Sequence, residues 1–590
     1  MKLIKITMVS LAAALVALTA CNKGVVAPEN GNGNEDATLS SNYLSVNIVP
    51  APVTTRAAAA GADPDGAEYE AGTADENAVS AVRFYFFKED GTPFLFKNGG
   101  TDDVNYYDWT TPDEGDTPTS PSVEKLLTAT IVLKTNPNEI TKEKYPKQMV
   151  AVLNPDFAGI PAGNASLADL QEIVKDFRDS TNTKNSFAMF NSSYADAGIA
   201  NIITAVEVKA ENVCAEPSAA LANPVDIYVE RCVAKVRVDV TATKESTGFI
   251  KLKDKDGNDL IVNDGNADVQ IYLKLGKWDV TSETKAGYLS KVIDTWPIDL
   301  FGSGATTYNK WNWAPYHRSF WALNPQNAGH EYYSYNYSSR NGYELGTGVA
   351  YTNENAGDGP RGEEEFERKW PTQVIILGQL VNQRGGTLEI CEFAGERFLG
   401  ENALLTKMAN FLHLYKVTIS QQGTTTITTY TKVTPADLKL VTAYQHDVTP
   451  LDAGQDNPGH YYVQVRLKDG YAANTYATSN AEGTPYATKA EVDAALAEVG
   501  HAKIWSTGMT YYFFPINHLG AKDNPGYCGV VRNHIYDCKI SNIAGLGTPV
   551  YDPDETIWPE KPEDDDDVFI AAQVEVISWR VVSNEIQLEW

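Results

Sequence analysis

Residues 568–590 read VFIAAQVEVISWRVVSNEIQLEW and close the sequence. Gln573-Val574-Glu575-Val576 and Glu585-Ile586-Gln587-Leu588-Glu589-Trp590 alternate polar and apolar side chains, the period-2 pattern of a half-buried strand. Ser583-Asn584 is the turn candidate between them. The preceding residues 552–567, DPDETIWPEKPEDDDD, are rich in Pro and Asp and cannot bury a core, which predicts an extended, solvated linker. A strand pair on such a linker is an arm suited to pairing with a sheet edge, in this chain or in a neighbour.

Working back from the arm, the chain reads as mainly β with a few short helices. Residues 81–87 (AVRFYFF) predict a strand followed by a turn at Glu89-Asp90-Gly91. Residues 125–134, 148–153, 373–380, 508–518 (GMTYYFFPINH) and 528–540 (CGVVRNHIYDCKI) predict further strands. Residues 225–240 (VDIYVERCVAKVRVDV) predict a long strand-like run carrying the chain from a first domain into a second. Ser166 as N-cap, with Leu167, Leu170, Ile173, Val174 and Phe177 on one face, predicts a helix over 166–177. Thr488 and Glu491 form a capping-box pattern, predicting a helix that ends near Gly500. The resulting division is a first β-sandwich domain over 57–230, a second over 231–551, the linker 552–567 and the arm 568–590.

The chain has 590 residues, enough for two or three cores, and 43% of them are hydrophobic. Against 48 Lys and Arg stand 77 Asp and Glu, a net charge of −29. Such a surface repels phosphate backbones and anionic headgroups, arguing against nucleic-acid partners and electrostatic membrane docking. Apart from Cys21, the cysteines 214, 232, 391, 528 and 538 are odd in number and lack CxxC spacing, so neither a zinc site nor a disulfide framework is indicated. One pair, such as Cys528 with Cys538, stays open.

Met1 to Ala20 has the form of a secretory signal: Lys2 and Lys5, an apolar segment, then Leu18-Thr19-Ala20-Cys21. That ending resembles a bacterial lipobox, in which small residues precede an obligatory Cys that takes a lipid; the alternative is a plain signal peptide with a chance Cys. Residues 22–41 predict a tether. Residues 44–49 (LSVNIV) alternate as a short strand. Arg56 follows in a small-residue stretch and is the one basic residue between Lys23 and Arg83. A lone Arg in such a segment suits trypsin-like cleavage, but on these residues alone an ordinary linker Arg is the better reading.

No catalytic constellation emerges. The eight histidines are scattered, without HExxH spacing, and no GxSxG elbow, P-loop or strand-linked GxGxxG occurs. Residues 253–259 (KDKDGND) have an acidic look, but Asp259 stands where an EF-hand needs Gly, so a hairpin turn is the reading. His534, inside an apolar strand, reads as structural. No metal, cofactor or catalytic residue is assigned. The aromatic-rich residues 309–324 (NKWNWAPYHRSFWALN) suit a packed core corner. As a binding platform around Trp311 to Trp321 they would instead support a surface glycan-binding lipoprotein, the alternative reading.

Several of these segments together resemble the Mfa-like fimbrillins, the structural pilus subunits of Bacteroidales. The carriers are Cys21, the strand ending before Arg56, VERCVAKVRV, RSFWALN, the YTNEN run 351–355 and residues 373–380. The C-terminal set adds GMTYYFFPINH, VVRNHIY, GLGTPV and the VEVISW run 574–579. The resemblance implies two transthyretin-like β-sandwiches and a subunit, not an enzyme, that polymerises by strand exchange and serves adhesion and biofilm. A lipidated precursor (palmitate on Cys21) would reach the outer membrane, its lipid being its only membrane contact. An Arg-specific trypsin-like protease would cut between Arg56 and Ala57, releasing residues 21–56 with the strand bearing Leu44, Val46 and Ile48. A donor strand on another copy or related pilin would refill the groove, its candidates here being Val574, Val576, Trp579, Ile586, Leu588 and Trp590. Host or bacterial surface ligands would be the further partners. A tip or anchor pilin is the variant of this reading.

Overall fold

The computed structural model describes residues 40–48 and 69–579, less 111–126, 136–143, most of 293–341, 356–371, 444–461, 519–528, 558–568 and several shorter stretches. Over these residues the chain is mainly β with a few short helices, as the periodicity predicts. Two sheets build the first domain. One runs Val213–Cys214, Ser40–Ile48 (β1), Leu127–Thr135, Phe96–Lys97, Asp103–Val104, with Val225–Asp226 also on β1. The other runs Val229–Arg231, Met189–Asn191, Gln148–Leu153, Ala81–Phe87, Tyr106–Thr110. Leu44 and Val46 of one sheet share a single buried core with Phe84, Phe86, Val150 and Val152 of the other. The aromatic, β-branched strands 81–87 and 148–153 keep their predicted bounds because such residues pack well on a pleated surface.

The second domain is also a two-sheet sandwich. One sheet runs Tyr69–Glu70 (β2), Phe569–Trp579, His534–Ala544, Ala234–Val240, Val349–Thr352. The facing sheet runs Ile250–Lys251, Tyr272–Thr281, Gln373–Val381, Met509–Pro515, Thr548–Pro549. Val236, Trp278, Ile376, Tyr512, Tyr536 and Ile540 meet in its core.

Two local readings change, and the hairpin turn read at 253–259 holds. The run 225–240 is three short strands rather than one: Val225–Asp226 pairs with β1, Val229–Arg231 joins the other sheet of the first domain, and Ala234–Val240 enters the second domain. The helix expected over 166–177 stops at Gln171, because Val174–Lys175 pairs with Gly287–Tyr288 instead. Its Ser166–Asp169 capping box is present. The acidic loop at 253–259 is a hairpin turn: the Asp254 carboxylate accepts the Asp256 and Asn258 amides, and Gly257 takes φ 84°.

Inside 231–551, read as one domain, the described residues also form a core separate from that of the sandwich. Gln373–Val381 and Met509–Pro515 are antiparallel neighbours, pairing from Gln373 with Pro515 to Gln379 with Met509, so residues 382–508 are inserted between adjacent strands. Helices Glu401–Phe411 and Lys489–Ala497 contribute Leu404, Met408, Val492 and Leu496 to a separate cluster with Val463 and Val465. The predicted box, Thr488 with Glu491, caps the second helix.

Candidate functional site

β1 is an interior strand. Along its whole length it pairs antiparallel with Leu127–Thr135, from Ser40 opposite Thr135 to Ile48 opposite Leu127. Its other edge is held by Val213–Cys214 (Tyr43 with Cys214, Leu44 with Val213) and by Val225–Asp226 (Val46 with Val225, Asn47 with Asp226). Leu44 and Val46 are fully buried in the domain core. Burying two such side chains is worth about 1.5–3 kcal/mol each. Losing the strand would also leave backbone donors and acceptors unpaired on both flanking edges, each costing about 1–3 kcal/mol if kept from water. The first domain thus contains a strand-shaped slot filled by residues 40–48. The strand begins at Ser40, four residues before the predicted LSVNIV, and ends one residue earlier, at Ile48.

The C-terminal strand Phe569–Trp579 is held in its own chain. It runs antiparallel to His534–Ala544, from Phe569 opposite Ala544 to Ser578 opposite His534, with a bulge between Ile540 and Asn542. Val574, Val576 and Trp579 lie on this strand, not on a free arm, because the run of strand-forming residues finds an edge waiting on 534–544. Ile586, Leu588 and Trp590, the turn at Ser583-Asn584 and most of the linker lie outside the described residues, as do Cys21, Arg56 and Ala57. On its outer edge the strand meets β2, parallel, with Tyr69 opposite Ser578 and Glu70 opposite Trp579.

Where residues 231–232 meet residues 532–533 lies a buried polar junction that the sequence reading missed. Arg532, 1% exposed, donates through Nε to the Glu354 carboxylate at 2.7 Å and through Nη1 to the Leu289 carbonyl at 2.7 Å. Lys291 pairs with Glu230 at 3.0 Å, both almost fully buried. Burial raises the Glu230 pKa and lowers that of Lys291, each opposed by the partner's charge. Arg231 donates to the Glu76 carbonyl and to Asn77. Asn353 accepts the Phe177 and Arg178 amides and donates to Asp176. The signal was present in the sequence: charged residues inside otherwise apolar runs, VERCV and VVRNH, need buried partners.

The remaining calls fall as follows. His534 is buried, its Nδ1 2.8 Å from the Arg532 carbonyl. Cys214, Cys232, Cys391 and Cys538 are buried thiols, and burial pushes Cys232 up to about 12. Among the described residues no cluster of His, Cys, Asp and Glu could hold a metal ion, and no helix is long and apolar enough to cross a membrane. Most of the aromatic stretch 309–324 lies outside the described residues.

Residues 503–585 match the family described as major fimbrial subunit protein type IV, fimbrillin, C-terminal. This segment spans the strands Met509–Pro515, His534–Ala544 and Phe569–Trp579 described above. This C-terminal segment is thus similar to the fimbrillins, in line with the Mfa-like resemblance carried by the sequence. Among solved structures the chain is similar to a fimbrilin (fimA) from Porphyromonas gingivalis W83, with 11% identity, 92% of this chain and 98% of that one covered, and a TM-score of 0.34. The tip fimbrial protein Mfa3 from Porphyromonas gingivalis gives 11% identity, 91% and 100% coverage and a TM-score of 0.28. A fimbrial assembly protein from Parabacteroides distasonis gives 11%, 66% and 95%, and 0.25. No curated protein matches the chain.

Proposed function

We propose that this chain is a fimbrial subunit that polymerises by protease-triggered strand exchange. The precursor is anchored through lipid on Cys21 at the outer membrane. A trypsin-like protease hydrolyses the Arg56–Ala57 peptide bond, water adding across it, and residues 21–56 leave with β1. The slot along Leu127–Thr135 is then open, and a strand from the C-terminal region of another copy fills it, main-chain hydrogen bonds and alternating apolar side chains replacing those of Leu44 and Val46. The mature subunit starts at Ala57 without lipid and serves in a surface fimbrium, in adhesion and in biofilm, with no catalytic role.

One observation supports this above the rest. An interior strand of the first domain, paired on both edges and buried at Leu44 and Val46, is joined to the rest of the chain only through residues 49–68, which contain Arg56. The test uses lipid-free precursor treated briefly with a trypsin-like protease. The expected result is a new N-terminus at Ala57 and SDS-resistant ladders, both lost in Arg56→Ala. Clean cleavage at Arg56 that leaves only monomer would refute polymerisation and favour an anchor or tip role.

A further inference from the structure

The residues inserted at 382–508 meet the second sandwich in a cleft. A further sheet runs Asp268–Gln270, Ile261–Asn263, Glu396–Leu399, Ile390–Phe393, Lys503–Trp505. In its register Arg397 stands opposite Glu392 and Glu392 opposite Lys503, so the three side chains form a row on one face. Trp505, two residues on from Lys503, lies on that same face. The cleft's other wall is the turn 254–256 and the loop 545–547. The loop is held from behind: the Gly545 amide donates to the Lys253 carbonyl at 2.9 Å, and the Thr510 and Tyr512 hydroxyls donate to the Leu546 and Gly545 carbonyls at 2.7 and 3.0 Å. Gly547 takes φ 72°, and a Cβ there would run into the Thr510 hydroxyl. The wall is therefore preformed.

The cleft has a volume of about 120 Å³. A water needs about 10–15 Å³ of such space, so there is room for about eight to twelve atoms of that size, one sugar ring but not two. Lys255, Arg397 and Lys503 are matched by Asp254, Asp256 and Glu392, in a chain of net charge −29. Arg397 Nε already donates to the Glu392 carboxylate at 3.0 Å, and the Asp254 carboxylate accepts the Asp256 and Asn258 amides. An ion of either sign would meet its like charge here, whereas a neutral ligand with hydroxyls finds donors and acceptors side by side. Trp505 is 2% exposed, and its indole Nε1 has no hydrogen-bond partner among the described residues. A buried N–H left unmade is costly and calls for an acceptor from outside the chain. Leu260 and Leu546 add apolar surface to the lining.

We propose that this cleft binds one neutral pyranose unit, as a free sugar or at the end of a glycan. Trp505 Nε1 donates to a ring or hydroxyl oxygen of the sugar. Glu392 and Arg397, each oriented by the other, take neighbouring hydroxyls, and Leu260 and Leu546 cover the C–H face. The site does not depend on strand exchange, so binding is read on the uncut chain.

The experiment is saturation-transfer NMR on uncut, lipid-free precursor. The probes are glucose, galactose, mannose and N-acetylglucosamine, each as the free sugar and as its methyl α- and β-glycosides. A ligand of this size should bind with a Kd of about 1 mM, so titration to about 50 mM saturates the site. At least one sugar should show saturable transfer, and sodium sulfate should not displace it. Trp505→Phe should weaken binding about tenfold. Glu392→Gln and Arg397→Gln, at half-buried side chains, should do the same and keep the test open should Trp505→Phe misfold. Binding of a methyl glycoside supports a glycan end as the source, and binding of the free sugar alone supports a free monosaccharide. Absence of saturable transfer from every probe would overturn the site, as would displacement by sulfate or an affinity unchanged in Glu392→Gln and Arg397→Gln. Ladder formation after cleavage is a separate readout, so failure of strand exchange and failure of sugar binding are told apart.

Discussion

Leu44→Ala is the substitution that separates a strand needed for the precursor from one kept in the mature subunit. Leu44 is fully buried in the first core, opposite Ile131, which is also buried. Truncating a buried Leu costs about 2–5 kcal/mol, depending on how far the cavity collapses. With a urea slope of about 2 kcal/mol/M, the unfolding midpoint of the first domain should fall by about 1–2.5 M. Because other cores are present, the readout must be local. Hydrogen exchange of Ala81–Phe87 and Gln148–Leu153 against urea reports the first domain alone. The same variant should form ladders faster after cleavage, since β1 leaves more readily, yet give polymers of wild-type stability, because the lost residues carried the change. An unchanged precursor midpoint would refute the account of the slot, and weaker polymers would show that β1 had stayed.

At the domain junction, Arg532→Met should lower stability by about 3–5 kcal/mol by leaving Glu354 buried without its cation, while Arg532→Met with Glu354→Leu should recover much of the loss; thermal unfolding checks both. Burial alone would raise the Glu76 pKa, but the hydrogen bond from Tyr351 and the charge of Lys235 hold it below the usual carboxylate value. Its contribution is therefore present above the unfolded carboxylate range and is lost as pH falls through the depressed folded value. Exchange protection at 69–77 should drop on acidification below about pH 4, and Glu76→Gln should remove most of that dependence.

What was legible in the sequence was whatever a strand can state in its own residues. Ala81–Phe87 and Gln148–Leu153 kept their bounds because aromatic and β-branched runs fit a pleated, buried surface wherever they sit. Ser166 and Thr488 announced their helices because a capping box is a local bond pattern. Partners over long separations were not legible. Nothing near Val174 shows that Gly287–Tyr288 will draw it out of a helix, and nothing in Phe569–Trp579 shows that Tyr69–Glu70 covers its end. The insertion at 382–508 was hidden for the same reason. Its flanks are ordinary strands, and only their mutual pairing reveals that what lies between is an addition. Of the slot, β1 itself could be read as an alternating strand; that it sits inside a sheet could not.

A strand like β1 that is central to a sheet, and then discarded, would make folding a one-way event. The precursor, with β1 still attached, would carry its own template through denaturation and renaturation. The cut subunit, once unfolded, would lack the segment that completed its first core, and dilution from denaturant would return a chain with an open edge on Leu127–Thr135. Its persistence would then be a matter of how slowly it unfolds, not of where equilibrium lies.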